Sequence, residues 1–337
     1  MRVGWMALVV LAGGAAWGGE RGGRVERVEH RKSEMVRVPA GTFTMGYPAP
    51  ALEDPEDDGR VEAFKECWSA VGAGGDFWCM PERAAPYPLT QEILYLYPYL
   101  NAIPERQVFL PGFEIDRHEV TIARYRRCVA AGACDSGPLI QGDQRQHVTA
   151  ANPVTNVTWR EAGKYCAFVG KRLPTEAEWE KAARGTDGRR WPWGEQDRTD
   201  GGNHGKMESD AIRQTHAMER DQSNDYSALF EVVADASDGA EFAAPPGTTR
   251  WSESRYGAMD MAGNVAEWVV DYYGAAGYAD LPEDSPVRRV PHETDTRRVV
   301  RGGSWLDLAL AGRTYARSAA RPGTRSPLVG FRCARNL

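Results

Sequence analysis

The chain has 337 residues, 42% of them hydrophobic, and carries 41 basic against 47 acidic side chains for a net charge of −6. That length can bury a sizeable core in one large domain or in two medium ones. The small negative net charge argues against nucleic acid as a partner and gives no reason to expect binding to an anionic membrane.

The N-terminus has the pattern of a secretory signal peptide over residues 1–18. Arg2 precedes an apolar run from Val3 to Leu11, and small residues follow that run. Read as a membrane anchor, the run is too short to span a bilayer, and no later stretch is long and apolar enough. We therefore expect an exported protein, periplasmic or extracellular, with no membrane span. The charged residues 19–34 predict a flexible leader, followed by one domain over residues 35–337.

The start of that domain predicts a hairpin, because Val36–Gly46 alternates apolar and polar residues around a Pro-Ala-Gly turn. Residues 48–111 are acidic and rich in proline and aromatic side chains, and the family resemblance given below implies that they are an insertion. It is either a surface excursion or a surface for a protein or small-ligand partner, since exposed aromatic residues are costly without a use. Phe113–Val120 predicts the next strand, and Thr121 opens a helix. Residues 205–237 form a second predicted insertion.

The six cysteines predict disulfides if the protein is exported, although fifteen pairings are formally possible. Cys128 and Cys134 bracket the end of the Thr121 helix, where a small bridge fits. Cys67 and Cys79 bracket a piece of the first insertion that would otherwise have little to hold it, which predicts a second bridge there. The chain has no C-x-x-C spacing, which argues against a metal site built from these cysteines.

Two helices are predicted in the centre of the chain. Thr158 with Glu161, and Thr175 with Glu178, have the spacing of a capping box, in which the hydroxyl and the carboxylate satisfy free backbone N–H groups at a helix start. In the first helix Cys166 lies on the apolar face, which points its sulfur towards a core.

This central block, from Asn152 to Gly185, is followed in order by WPWG, by YGAMDMAGNVAEWVVDYY and by RVVRGGSW with GFRCAR. These blocks resemble the signature blocks of the formylglycine-generating enzyme, or sulfatase-modifying factor, family. The resemblance implies an α+β domain of the C-type-lectin-like kind, loop-rich, with few strands and short helices, stapled by disulfides. It also implies a bridge between Cys166 and Cys333, which match a bridging pair of the family.

Two calcium sites follow from the same resemblance. In the first, Asp260 and Glu267 give side-chain oxygens, and Gly263 and Val265 give backbone carbonyls. Calcium needs six to eight hard oxygens, which a tight turn can direct to one point. The alternative is a hydrogen-bonded polar turn before a strand. The second site matches four residues on either side of the second insertion, namely Asn203, His204, Asp238 and Ala240.

The chemistry of the family lies in the last block. Its enzymes use two cysteines after the RGGS-aromatic motif to bind copper and to oxidise a substrate cysteine to formylglycine. Here the first position falls on Asp307, and the second on Gly312, or on Arg313 when counted back from Arg321. A carboxylate with a glycine or an arginine does not replace two thiolates as ligands of Cu(I). We therefore assign no catalytic residue and do not expect copper.

Other uses of the last block remain open. The six histidines contain no i, i+4 pair, which argues against an iron site. His118, Glu119 and Ser304 are either a hydrolytic arrangement or simply hydrogen-bonded residues. The arginines of the block, Arg313, Arg317 and Arg321, either pair with buried carboxylates such as Glu178 or Glu267, or line a pocket for an anionic ligand.

The sequence favours an exported, non-catalytic member that acts as a binding or assembly module, with a protein or small-ligand partner at the groove or the insertion. The alternative is a formylglycine-generating oxidoreductase with a divergent site. A third hypothesis is an accessory factor that stabilises a partner enzyme. Bound copper or iron would distinguish the oxidoreductase from the other two.

Overall fold

The computed structural model describes residues 35–47, 102, 104–140, 149–198, 200–205, 236, 240, 242–249, 251–274, 277–278, 280–291, 295–307 and 309–337. All of them belong to the compact unit that begins at Ser33. The predicted signal peptide and leader, most of both predicted insertions, Cys67, Cys79 and Asp238 lie outside the described residues.

The described part contains short elements joined by long loops. The strands are β1 Met35–Val38, β2 Gly41–Met45, β3 Arg106–Leu110, β4 Phe113–Asp116, β5 Ala266–Tyr272, β6 Arg298–Arg301, β7 Arg317–Ala320, β8 Val329–Gly330 and β9 Ala334–Asn336. The α-helices are α1 Ile122–Ala130, α2 Gly137–Ile140, α3 Trp159–Phe168 and α4 Glu176–Arg184, and a 3-10 helix covers Ala309–Gly312. The predicted α+β mixture of few strands and short helices is confirmed.

The predicted hairpin over Val36–Gly46 is wrong. β1 pairs antiparallel with β4 and β2 pairs antiparallel with β3, and both pairings keep one register, with Val38 opposite Phe113 and Gly41 opposite Leu110. The two ladders are separated where Pro39 and Pro111 lie on opposite strands, because proline has no N–H to donate. The last residues of the predicted first insertion, Arg106–Leu110, therefore form a strand that pairs with the core.

The main sheet has the strand order β7-β6-β5-β8 and separates two buried clusters. Neighbouring residues of a strand point to opposite faces, so Trp268 and Val269 of β5 enter different clusters. Trp179 of α4 packs in the cluster with Val269, and Tyr165 of α3 packs in the cluster with Trp268. Each of the two central helices thus covers one face of the sheet.

Both predicted capping boxes are present. The Thr158 and Thr175 hydroxyls each accept a hydrogen bond from the backbone N–H three residues later, and the Glu161 and Glu178 carboxylates each accept one from the backbone N–H of the capping threonine. These contacts fix where α3 and α4 begin, and therefore how each helix meets the sheet.

Two predicted disulfides are confirmed. Cys128 bonds to Cys134 at the end of α1, and Cys166 of α3 bonds to Cys333, next to β9. The second bridge joins residues 167 positions apart and ties the helical centre of the chain to its C-terminal strands.

Candidate functional site

The loop that holds the first family cysteine position is organised by Asp307. Its carboxylate accepts hydrogen bonds from the backbone N–H of Ser304 at 2.9 Å and from the Ser304 hydroxyl at 2.7 Å. The Asp307 carbonyl accepts from the Gly205 N–H at 2.8 Å. An aspartate that bonds to the backbone three residues away is a turn-forming residue. Asp307 therefore ties its own loop together and links it to the Asn203 segment.

The second family cysteine position has no ligand for a soft metal in either alignment. Gly312 is buried in the 3-10 helix, where an added Cβ would lie 3.0 Å from the Ala262 Cβ. Arg313 is half-buried, with its guanidinium 5.8 Å from the centre of the Trp191 ring. Trp191 stacks on Trp193 with ring centres 5.3 Å apart and planes 5° apart. The second family cysteine position therefore holds either a glycine or an arginine next to two stacked indole rings, and neither residue supplies a thiolate.

The cysteines do not supply a substitute. All four cysteines in the described part form disulfides, and the sequence has none between Cys166 and Cys333. A disulfide sulfur carries no negative charge and cannot replace a thiolate as a ligand of Cu(I). Within the described residues, no group of three His, Cys, Asp or Glu side chains is arranged to hold a metal ion.

The first predicted calcium site is a tight turn with left-handed backbone at Asp260, Gly263 and Asn264, whose φ angles are +56°, +86° and +60°. The Asp260 carboxylate accepts from the Ser252 hydroxyl at 3.0 Å and from the Gly247 N–H. An added Cβ on Gly263 would lie 2.0 Å from the Asn203 carbonyl oxygen. The turn therefore requires glycine there, because backbone passes too close for any side chain.

Glu267, the second carboxylate of that site, forms a buried ion pair with Arg332. The guanidinium donates from Nε and Nη2 to the two carboxylate oxygens, each at 2.7 Å, and the Trp179 indole donates a third hydrogen bond at 2.9 Å. All four carboxylate oxygens of Asp260 and Glu267 thus accept hydrogen bonds from the protein. A calcium ion would have to share them with Arg332, so these contacts favour the hydrogen-bonded turn.

A third carboxyl group, that of Glu119, lies next to the turn. Asn264 donates to its Oε1 at 3.0 Å, and its Oε2 is buried with no hydrogen-bond partner in the described part of the chain. Burial, and then the nearby negative charge of Asp260, raise the pKa of Glu119 well above its usual value. His118 lies beside it, with Nδ1 3.9 Å from Asp260 Oδ2. No described contact joins His118 to Ser304, so the structure shows no hydrolytic arrangement of these two residues.

The second predicted calcium site has a feature that fits a metal ligand. Asn203 donates from its amide nitrogen to the Phe242 carbonyl at 2.9 Å, while its Oδ1 is buried with no partner among the described residues. His204 is buried beside it, with Nδ1 against the Gly205 carbonyl. An amide oxygen of this kind is a hard ligand suited to calcium. Ala240 is half-buried, and Asp238 lies outside the described residues.

The predicted pairing of buried arginines with carboxylates occurs, but with different partners. Arg317 pairs with Glu176 at 2.7 Å, and Arg301 pairs with Glu176 at 3.3 Å and with Glu180 at 2.7 Å. Glu176 and Glu180 are one turn apart on α4 and face the sheet together. Glu178, which we expected in this role, closes its capping box and pairs with Arg172 instead, and Arg321 is exposed.

Sequence reasoning did not predict three features of this region: the ion pair of Arg332 with Glu267, the burial of Glu119, and the hydrogen bond from the Asn264 amide to Glu119. From the GFRC block the sequence analysis predicts a role only for Cys333. A single arginine in a strand-end motif does not reveal a partner 65 residues away. Within the described residues, no helix is long and apolar enough to cross a bilayer.

The comparisons with known proteins place the chain in a family. Residues 22–337 match the family described as the sulfatase-modifying factor enzyme 1-like domain. The formylglycine-generating enzyme of Thermomonospora curvata is 36% identical over 313 residues, covering 89% of this chain and 92% of that enzyme.

More distant relatives include the mouse protein named inactive C-alpha-formylglycine-generating enzyme 2. It is 32% identical over 188 residues, covering 54% of this chain and 48% of the mouse protein. The solved structure of PvdO from Pseudomonas aeruginosa has a TM-score of 0.58 at 24% identity, covering 90% of this chain and 94% of PvdO, which shows a shared fold. The chain belongs to the formylglycine-generating enzyme, or sulfatase-modifying factor, family and has its C-type-lectin-like α+β fold.

Proposed function

We propose that the chain is an exported, non-catalytic member of the family that acts as a binding or assembly module. The observation that carries this proposal is the pair of family cysteine positions, where Asp307 forms a turn and Gly312 or Arg313 offers no thiolate. Cu(I) prefers soft sulfur ligands, and the family chemistry needs a thiolate that exchanges with the substrate.

The electrostatics of the position support the same conclusion. For Asp307 to reach a metal, its carboxylate would have to give up two hydrogen bonds to Ser304. The Arg313 guanidinium is always charged and repels a metal cation nearby. Both changes weaken the site for copper without disturbing the loop itself.

The loops around this position are suited to binding. They carry the half-buried Trp193 and Arg313 beside the buried Trp191 ring, on a disulfide-stapled scaffold. Recognition residues commonly lie on loops that a rigid scaffold positions. The signal-peptide pattern and the disulfides support export, since disulfides persist in oxidising compartments. The name of the mouse relative is consistent with inactive members in the family.

Calcium remains part of the proposal as a structural ion. The Oδ1 of Asn203, which has no partner among the described residues, favours the site formed with His204, Asp238 and Ala240 over the Asp260/Glu267 turn. There the side-chain oxygens of Asn203 and Asp238 and the backbone carbonyls of His204 and Ala240 would hold the ion. Its role would be to hold the two ends of the second insertion together.

A metal inventory tests these assignments. The mature protein, purified from an export route, is analysed by plasma mass spectrometry before and after a mild chelator, with the Thermomonospora curvata enzyme as the positive control. We expect calcium and no stoichiometric copper, and no conversion of a cysteine peptide to formylglycine under conditions in which the control converts it.

An Asn203→Ala variant separates the two calcium sites. We expect it to lose the calcium, whereas Glu267→Gln should keep it. One equivalent of copper or iron together with peptide oxidation would overturn the non-catalytic proposal and establish the divergent oxidoreductase. A protein that co-purifies stoichiometrically and loses stability without this chain would instead favour the accessory factor.

A further inference from the structure

Arg298, at the start of β6, is a buried arginine held between two aromatic rings. Its guanidinium carbon lies 3.9 Å from the centre of the Trp159 ring and 3.3 Å from the centre of the Tyr272 ring. Nη1 donates to the Val270 carbonyl at 2.6 Å, and Nε has no acceptor within the described part of the chain. The residue is only 8% exposed, while both rings are half-buried and reach the surface.

This arginine differs from the other buried arginines of the sheet. Arg301, Arg317 and Arg332 each pair with a glutamate, whereas no carboxylate pairs with Arg298 among the described residues. A buried charge without a counter-ion is costly, and burial lowers the pKa of Arg298. We therefore expect the counter-ion of Arg298 to come from outside the described residues.

Two further arginines extend from the same place. The Trp159 backbone N–H donates to the Pro322 carbonyl at 3.1 Å. Arg160 follows Trp159 in the chain and Arg321 precedes Pro322, so each arginine adjoins one end of this hydrogen bond. Arg321 also follows Ala320, the register partner of Arg298. Arg160 and Arg321 are exposed, and neither has an ion pair within the described ranges. The basic notch is defined as Arg160, Arg298 and Arg321 with the rings of Trp159 and Tyr272.

Two acidic groups that adjoin the notch in sequence, Glu161 and Asp271, are held by other partners, although the charge of Asp271 attracts Arg298. Glu161 is paired with Arg325 at 2.6 Å. Asp271 is buried on the opposite face of β5, where its carboxylate accepts from the backbone N–H groups of Glu176 and Arg288. The notch is thus a positive patch with an aromatic rim on a chain whose net charge is −6.

We propose that the basic notch is a docking surface for an acidic segment of a partner protein. One carboxylate of the segment pairs with Arg298 between the two rings, and neighbouring carboxylates pair with Arg160 and Arg321. A planar guanidinium matches a carboxylate, and arginine and aromatic side chains together are the residues that most often dominate protein interfaces. The basic notch shares no residue with the loop at Asp307 and does not depend on whether that loop is catalytic.

The test is the binding of a fluorescein-labelled hexaglutamate peptide, followed by fluorescence anisotropy at low ionic strength. The patch variant Arg160→Gln/Arg321→Gln is compared with Arg126→Gln/Arg127→Gln, which removes the same charge from exposed positions on α1. Exposed ion pairs each contribute up to about fivefold in affinity, so loss of two should weaken binding by the patch variant by up to about 25-fold. The α1 variant should lose less than about twofold.

Arg298→Lys adds a readout that net charge does not explain. Lysine keeps the charge but cannot stack as a plane or pair bidentately, so we expect about fivefold weaker binding, measured under conditions in which the variant is folded by its cooperative unfolding transition. Equal losses in the patch and α1 variants, or full binding by Arg298→Lys, would overturn the proposal. So would complete displacement of the peptide by millimolar inorganic phosphate at constant ionic strength, which would indicate a small-anion site instead. If Arg298→Lys does not fold, the comparison of the two double variants still decides.

Discussion

The ion pair between Arg332 and Glu267 should be a major determinant of stability, whether or not calcium is present. Arg332 is fully buried and donates to both Glu267 oxygens at 2.7 Å and to the carbonyls of Asp116 at 3.1 Å and Met259 at 2.8 Å. Replacing it with methionine keeps most of the volume but leaves Glu267 with only the hydrogen bond from Trp179. Removing one partner of a buried pair costs about 3–5 kcal/mol, and we expect Arg332→Met to fall in that range.

Urea unfolding at pH 7 with excess chelator and intact disulfides measures this cost for Arg332→Met, Glu267→Gln and the double variant. Because each single change strands the other partner, the double variant should be less destabilised than the sum of the two, by about 0.5–3 kcal/mol. Repeating the series with calcium provides the control, since a metal ligand at position 267 would make the Glu267→Gln loss larger with calcium than without it. A loss below about 1 kcal/mol for Arg332→Met, or strict additivity, would refute the reasoning.

Three further outcomes can be measured by the same unfolding assay. Cys166→Ala/Cys333→Ala opens a loop of 167 residues and should lower the free energy of unfolding by about 5 kcal/mol on the chain-entropy estimate. Cys128→Ala/Cys134→Ala, with a separation of 6, should lower it by about 2 kcal/mol. Equal losses would contradict the loop argument. Gly263→Ala should destabilise the fold far more than Gly170→Ala. Both glycines have a positive φ, so the backbone strain is similar, but only at Gly263 would the added Cβ lie 2.0 Å from a backbone atom. Burial and Glu176 raise the pKa of Asp271 to about 7, so its protonated form stabilises the fold fully below about pH 4, and that contribution is lost as the pH rises through 7. Asp271→Asn should abolish this decline, and an unchanged pH profile would count against it.

The parts of the fold that local sequence patterns predicted are those set by neighbouring residues, whereas the distant Cys166–Cys333 bridge was implied by the family resemblance. The two capping boxes depend on a threonine and a glutamate three positions apart, and both are found. The Cys128–Cys134 bridge likewise joins residues within one helix end. Such signals hold because few alternative conformations compete over so short a stretch.

The parts it did not predict depend on partners distant in the chain. The alternation in Val36–Gly46 correctly indicated extended backbone, but each strand pairs with a segment about 70 residues later rather than with its neighbour. In the same way the identity of a glutamate in α4 gave no indication that Glu176, and not Glu178, would meet Arg317. Helical phase decides this, since Glu176 and Glu180 face the sheet while Glu178 closes the capping box.

The same distinction between local patterns and distant contacts applies to the candidate sites. The family resemblance predicted which residues could hold calcium, but it could not show that Arg332 already occupies the Glu267 carboxylate while the Asn203 amide oxygen has no described partner. Whether an oxygen is available to a metal depends on every donor packed against it. That information lies in the tertiary structure and not in the motif.

The buried charges also explain how this fold can keep its shape without the family's thiolates. The loop at Asp307 is held by its own hydrogen bonds to Ser304, and the surrounding sheet is held by Arg301 and Arg317 on the glutamates of α4. None of these contacts involves a copper ligand. The hydrogen bonds and ion pairs that hold the scaffold are therefore independent of thiolates at positions 307 and 312. The proposed docking at the basic notch likewise needs the fold and not the family reaction, because function lies in individual sites that a fold carries.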